Sequence, residues 1–281
     1  MKIGFFGFNN GALAESEAMA QALKAMDDAG FESAWTGEHV VLIDPQEPPS
    51  PAPPDFPMLD TVAALAFAAG ITRRIRLASG IILLAQRNPV VLAKELSGVD
   101  RLSKGRLIFG VGVGYVPREF EVIGVPYRER GARVSEHIEA IRTLWTQEQP
   151  EFKGRFTQIS GVRQQPMPMQ RPHPPIIIGG MSPAAYRRAV RQGNGWYGFA
   201  QTVEAAAASI AGLKEAAAVE SRPAGLGELE ITVTPPGPVD ADAVKRYEDL
   251  GVSRLALLPG RLRDAEGAVR FIERTAQQFS L

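Results

Sequence analysis

Two hydrophobic rhythms alternate along the chain from end to end. Short apolar runs such as Ile3–Phe8, Ser33–Thr36 and Ile75–Ile81 read as strands, the last nearly continuous in its apolar character, as a strand buried on both faces should be. Between them, apolar residues recur at helical spacing. Met19, Ala22, Leu23 and Met26 stand at i, i+3, i+4 and i+7, and Gly30 follows as a helix stop. Further strands are predicted at Leu107–Val111, Pro175–Ile178, Trp196–Phe199, Leu229–Thr234 and Arg254–Leu258. Helices are predicted at Leu59–Ala69, Pro89–Leu102, Ser182–Arg191, Val203–Val219 and Ala241–Leu250. Two more are marked by Val134, Ile138, Ile141 and Trp145, and by Ala268, Val269, Ile272, Ala276 and Phe279. Strand and helix in regular alternation imply a parallel sheet. Eight such units predict closure into a (β/α)8 TIM barrel, a single domain over residues 1–281, with an open doubly wound sheet as the alternative. Two segments break the rhythm. Val40–Pro57 carries "DPQEPPSPAPPDFP", too rich in proline for a helix or a central strand, and is predicted to be a long loop. Glu151–Arg171 is an insertion before the fifth strand, expected to hold a hairpin.

Composition narrows the chemistry. Thirty-one basic residues balance thirty-one acidic ones, so no surplus charge points to nucleic acid or to an anionic membrane. The absence of cysteine excludes disulfides, thiolate zinc sites and a cysteine nucleophile. No apolar run approaches the ~20 residues of a membrane span, and the N-terminus has no signal-type core. A soluble cytoplasmic protein is expected. The sequence lacks H-E-x-x-H, G-x-S-x-G and G-x-x-x-x-G-K-[ST], so no metal site, esterase elbow or P-loop is expected.

In a barrel, chemistry sits where strands end, at the C-terminal mouth. Four strand ends stand out. The fourth strand runs into Gly110, Gly112 and Gly114 in "RLIFGVGVGYVPREF". That G-x-G-x-G spacing is not the G-x-G-x-x-G of a dinucleotide fold. Such glycines either let a flat ring approach the backbone or only relieve crowding. The fifth ends in "PIIIGGMSP", where Ser182 suits an N-cap and Pro183 the first helical position. With Gly179 and Gly180 beside them, the new helix's N–H groups face an anion. After the second strand, "WTGEHV" offers His39, an imidazole able to exchange a proton near neutral pH, with Glu38 either orienting it or capping the loop. The third strand ends in "LASGIIL". Arg87 and Asn88 are candidates to cap the third helix, and Arg130 and Arg133 to pair with Glu129 and Glu136 or to reach phosphate; a solvated helix face is the plainer reading for all of them. Trp35, Trp145 and Trp196 are expected in the core, Trp196 nearest the mouth. His137 and His173 are expected to be structural or at the surface.

"VDRLSKGRLIFGVGVGYVPREFEVIGVPYRERGARVSEHIEAIRTLW" resembles the luciferase-like monooxygenase superfamily, and within it the branch that uses the deazaflavin coenzyme F420. "GFESAWTGEHV", "LASGIILLAQRNPVVLAKELSGVDRLS" and "PPIIIGGMSPAAYRRAVRQGNGWYGF" agree with the same pattern, which covers the chain from Ile3 to about Phe199. The resemblance implies a cofactor lying across the mouth. Its phosphate would sit at Gly179, Gly180, Met181 and Ser182. Its ring would rest near Ser79, Gly80 and Ile81, with a cis peptide between Gly80 and Ile81, and near Gly112, Val113 and Gly114. His39 would act in catalysis with Glu38, at a position where many relatives carry Asp. The reaction implied is hydride transfer between coenzyme F420 and an unidentified small organic substrate. The alternatives are oxygen insertion with reduced FMN, and a flavin- or deazaflavin-binding protein without turnover. A homodimer is implied as well.

Overall fold

The computed structural model describes residues 1–281. The barrel strands are β1 (Lys2–Phe6), β2 (Ser33–Trp35), β3 (Arg76–Ala78), β4 (Ile82–Leu83), β5 (Leu107–Gly112), β8 (Ile176–Gly179), β9 (Gly195–Gly198), β10 (Glu230–Val233) and β11 (Arg254–Leu257). The short strands β6 (Phe152–Lys153) and β7 (Gln158–Ile159) form the expected hairpin in the insertion. Every barrel pairing is parallel. The order β3-β2-β1-β11-β10-β9-β8-β5 closes because β3 also pairs with β5. β4 pairs with β5 further along, so β3 and β4 are two parts of one third barrel strand. The fold is an eight-stranded (β/α)8 barrel.

The helices are α1 (Ser16–Ala29), α2 (Thr61–Ile71), α3 (Pro89–Leu102), α4 (Pro117–Ile123), α5 (Arg130–Thr146), α6 (Pro183–Gln192), α7 (Val203–Val219), α8 (Ala241–Asp249) and α9 (Ala265–Phe279). Their boundaries follow their caps. Gly30 ends α1 at φ +87°, with its N–H on Met26 O. The Asp60 side chain accepts from Ala63 N and starts α2 at Thr61, two residues later than the apolar pattern suggests. Asn88 accepts from Val90 N and Val91 N at the start of α3, so of the two candidates Asn88 is the cap. One helix was not anticipated. After the glycine run, where no helix is predicted, α4 begins at Pro117 and is closed past Ile123 by Gly124 (φ +76°). Proline at the first helical position and glycine past the last were its signals.

Inside the barrel, Phe6, Trp35, Ala78, Ile108, Ile177, Tyr197 and Ala256 pack together, one from each of seven strands. The Trp35 and Tyr197 rings stack at 5.2 Å. The barrel interior is therefore filled by side chains, and chemistry on such a fold belongs to the loops at the C-terminal ends of its strands. At the opposite end, fully buried Arg254 is held by Glu32 (2.6 and 2.8 Å), Glu230 (2.8 Å) and Thr232 (3.0 Å). Trp35, Trp145 and Trp196 are all buried, as expected. No helix is long and apolar enough to cross a membrane.

Candidate functional site

The mouth is shaped first by a break in the third strand. After Ala78 the backbone leaves the ladder, the Gly80–Ile81 peptide is cis, and pairing resumes at Ile82. The detour would strand the N–H and C=O of Gly110 on the neighbouring β5. Ser79 repairs this: its hydroxyl donates to Gly110 O and accepts from Gly110 N, both at 2.8 Å. A buried polar backbone group without a partner is costly, which gives this hydroxyl a structural purpose.

The glycines serve the same detour. A methyl group built on Gly110 would overlap the Ser79 carbonyl, and one on Gly112 or Gly179 would overlap Cδ1 of Ile81. A methyl on Gly80 would come 2.8 Å from Thr36 O and 3.1 Å from the Phe6 ring. The crowding explanation is therefore the one the structure shows at Gly110, Gly112 and Gly179. The space beside Gly112 is taken by Ile81, which is half-buried and packs against the barrel interior. Gly114 differs, because it takes a positive φ of +78° that other residues rarely adopt. Val113, between them, is half-buried.

His39 follows β2 at the mouth. Its backbone is pinned on both sides: Asn9 donates to Gly37 O (3.0 Å) and accepts from Gly37 N (2.8 Å), and His39 N–H reaches Met58 Sδ (3.1 Å). The ring lies between two partners. Nδ1 is 3.2 Å from Oε2 of Glu119, and Nε2 is 3.3 Å from the Tyr115 hydroxyl. The other oxygen of fully buried Glu119 accepts from Val40 N (3.0 Å). An acceptor at Nδ1 puts the ring hydrogen there and leaves the Nε2 lone pair toward Tyr115, the residue of the three most open to solvent. Burial, reinforced by the nearby Glu119 charge, raises the Tyr115 phenol above its ordinary value, so it stays a hydrogen donor. Sequence reasoning missed Glu119 and Tyr115. Both lie in "YVPREF", and the unrecognised α4 is what brings Glu119 round to His39.

Glu38 does not orient His39. Its carboxylate accepts from Leu83 N (2.9 Å) and from Arg87 Nε (3.2 Å) and Nη2 (2.9 Å), tying the end of β2 to the restart of the third strand. Arg87 reaches on to Asp60 (2.7 Å) and is thus no solvated helix residue. Burial pushes Glu38 above the usual carboxylate range against the pull of Arg87. Burial alone would weaken the charge on Arg87, but Glu38 and Asp60 outweigh it and hold that guanidinium firmly protonated. Glu38 is the anchor of the loop, and Glu119 is the carboxylate of the mouth.

At the fifth strand end, Ser182 caps α6 through Ala185 N (3.2 Å), with Pro183 at the first helical position, as the sequence predicts. Gly180 has φ +119°, and its carbonyl accepts from Trp196 Nε1 (2.8 Å). Trp196 therefore lies beneath this loop as a support. Met181 to Ala184 are exposed, and the first turn of α6 carries no acidic residue. Arg188 donates to Gly131 O (3.0 Å) and so holds the start of α5 against α6. At that start, the buried Nε of Arg130 has no hydrogen-bond partner.

Comparison with known proteins agrees with this architecture. The model of the family described as luciferase-like monooxygenase matches residues 1–279. An uncharacterized protein of Mycobacterium tuberculosis (strain ATCC 25618 / H37Rv) is 29% identical over 271 residues, 93% of each chain. An FMNH2-dependent dimethylsulfone monooxygenase of Pseudomonas putida is 33% identical over 143 residues, 50% of this chain and 39% of its own length. The solved structure of an F420-dependent secondary alcohol dehydrogenase in complex with an F420-acetone adduct superposes with a TM-score of 0.76 at 16% identity, covering 97% of both chains. With a family match over nearly its whole length and a closed barrel to carry it, the chain belongs to the luciferase-like monooxygenase family of oxidoreductases.

Proposed function

We propose that the protein transfers hydride between coenzyme F420 and a small organic substrate, with His39 handling the proton. The observation that carries this reading is the His39 ring, fixed at the mouth between Glu119 and Tyr115. The chain also suits the cofactor. The exposed, acid-free first turn of α6 and the unpartnered Arg130 Nε suit a phosphate, and Phe6, Ile81 and Phe199 offer an apolar bed for a flat ring. Gly179, Gly180, Met181 and Ser182 would hold the phosphate; Ser79, Gly80, Ile81, Val113 and Gly114 would lie against the ring.

When bound, coenzyme F420 supplies the two-electron hydride acceptor or donor. The chain's own contribution is positioning and proton transfer. Glu119 keeps the hydrogen of His39 on Nδ1, so Nε2 accepts the hydroxyl proton of an alcohol as its C–H hydride leaves and a carbonyl forms. In reverse, Nε2–H returns that proton to the carbonyl oxygen. Glu119 then stabilises the imidazolium that exists in between. Tyr115 occupies Nε2 before substrate arrives and must move aside for it.

The Pseudomonas relative supports a second reading, in which reduced FMN and oxygen replace the deazaflavin. A non-catalytic binding protein would need no oriented imidazole. His39→Ala and Glu119→Gln separate these cases when reduced F420 is mixed with a panel of ketones and aldehydes. A loss of F420 oxidation of about 10²-fold or more with intact cofactor affinity is the expected result. Unchanged turnover in both variants contradicts the assignment.

A further inference from the structure

A cavity of about 450 Å3 lies apart from the residues of the candidate site. It opens between the start of α3, the end of α4, the face of α5 and the β6–β7 hairpin. Gln86 in its lining stands beside Gly114: a methyl built on Gly114 would come 3.6 Å from Gln86 Nε2. No acidic residue lines it.

Its polar wall is left unpaired. Neither amide atom of Gln86 has a partner, nor does Arg133 Nε, nor Thr157 Oγ1, although all are buried. Thr157 is only 8% exposed, and Glu136 takes its N–H but not its hydroxyl. Arg133 is steadied by Glu129 (3.1 Å) and by the Phe156 ring (4.5 Å). His137, also buried, donates Nδ1–H to Leu84 O (3.2 Å), which directs the Nε2 lone pair elsewhere and leaves it without a protein partner. Burial, and the Arg133 charge behind it, favour the neutral ring despite the opposing pull of Leu84 O and Glu136. The wall therefore offers donors from Arg133, Thr157 and the Gln86 amide, and acceptors from His137 and the Gln86 carbonyl. Ile123 and the Phe156 ring, on which Arg133 rests, supply the apolar part of the lining. Native interiors rarely leave so many polar groups unmatched in one place.

We propose that this cavity binds a small hydroxycarboxylic acid. Its carboxylate meets Arg133 and Thr157, its hydroxyl donates to His137 Nε2 or Gln86 Oε1, and its apolar body lies against Ile123 and Phe156. The volume suits a single-ring molecule. The proposal stands apart from the reaction at the mouth.

The probe is 3-bromo-4-hydroxybenzoate, titrated calorimetrically into the full chain and located in crystals by bromine anomalous scattering. One saturable site is expected, with bromine beside Phe156. Arg133→Gln weakens binding about tenfold or more, through loss of a charge-assisted hydrogen bond. Thr157→Val, nearly the same shape, weakens it about fivefold. 3-Bromobenzoate, lacking the hydroxyl, also binds about fivefold less tightly. His39→Ala leaves the affinity within about twofold, because the mouth takes no part. The proposal is overturned by any of four results: no saturable binding at millimolar concentration, bromine in the barrel mouth, equal binding of the two probes, or insensitivity to both Arg133→Gln and Thr157→Val.

Discussion

Gly112→Ala tests whether the glycines exist to seat Ile81. The added methyl would overlap Cδ1 of Ile81 and approach its Cγ1 to 3.2 Å. Overpacking of this kind costs about 1–3 kcal/mol. Replacing glycine also lowers the entropy of the unfolded chain, which returns about 0.4–1 kcal/mol because Gly112 does not use a positive φ. A net loss near 1.5 kcal/mol is expected. Ile81→Val removes the colliding Cδ1 and, at a half-buried position, costs about 0.5–1 kcal/mol by itself. The remaining 3.2 Å contact needs a shift of only a few tenths of an ångström. The double variant is therefore expected to be no less stable than Ile81→Val alone, a coupling of about 1 kcal/mol or more. Urea unfolding measures this as a change in midpoint at constant slope. Gly110→Ala is the control, since its methyl strikes the Ser79 backbone carbonyl and Ile81→Val cannot relieve it. Losses that simply add for Gly112→Ala and Ile81→Val, within about 0.5 kcal/mol, would refute the reasoning.

Ser79→Ala leaves both backbone groups of Gly110 without the Ser79 hydroxyl and is expected to cost about 2 kcal/mol in the same assay; a neutral effect contradicts the ladder-repair role. Asp27 gives a pH prediction. Burial favours its neutral form, but N–H bonds from Ile75, Arg73 and Arg74 (2.7–2.8 Å) prevail and lower its pKa. The native carboxylate therefore adds stability that is fully present above the unfolded value of about 4 and lost as pH falls through the lower folded value. The stability gap between the natural chain and Asp27→Asn should narrow below about pH 4 and stay constant above it, as followed by urea midpoints. A homodimer is expected in light scattering, and a monomer at micromolar concentration contradicts that expectation.

Most of the barrel is legible in the sequence because strands buried on both faces and amphipathic helices write different periods. Caps set the edges, as Gly30, Asn88, Ser182 and Pro183 show. The break in the third strand is not written in that way. Ile75–Ile81 keeps its apolar character across it, and only the pairing register reveals where β3 stops and β4 begins. The carboxylate of the mouth was hidden for a similar reason. Glu38 is the neighbour of His39 in sequence, yet Arg87 turns it away. Glu119 is eighty residues distant, on a seven-residue helix too short to show a period. Hydrophobic periodicity reports which face is buried. It does not report which polar groups meet across strand ends, and that is where the candidate chemistry lies.

The most direct test is a parallel titration of the purified protein with coenzyme F420 and with reduced FMN, read by absorbance and fluorescence under anaerobic conditions. Tighter, one-to-one binding of F420, weakened when Gly180 is replaced by valine at its positive φ beside α6, is the predicted result. Preferential binding of reduced FMN, or binding of neither, would contradict the account.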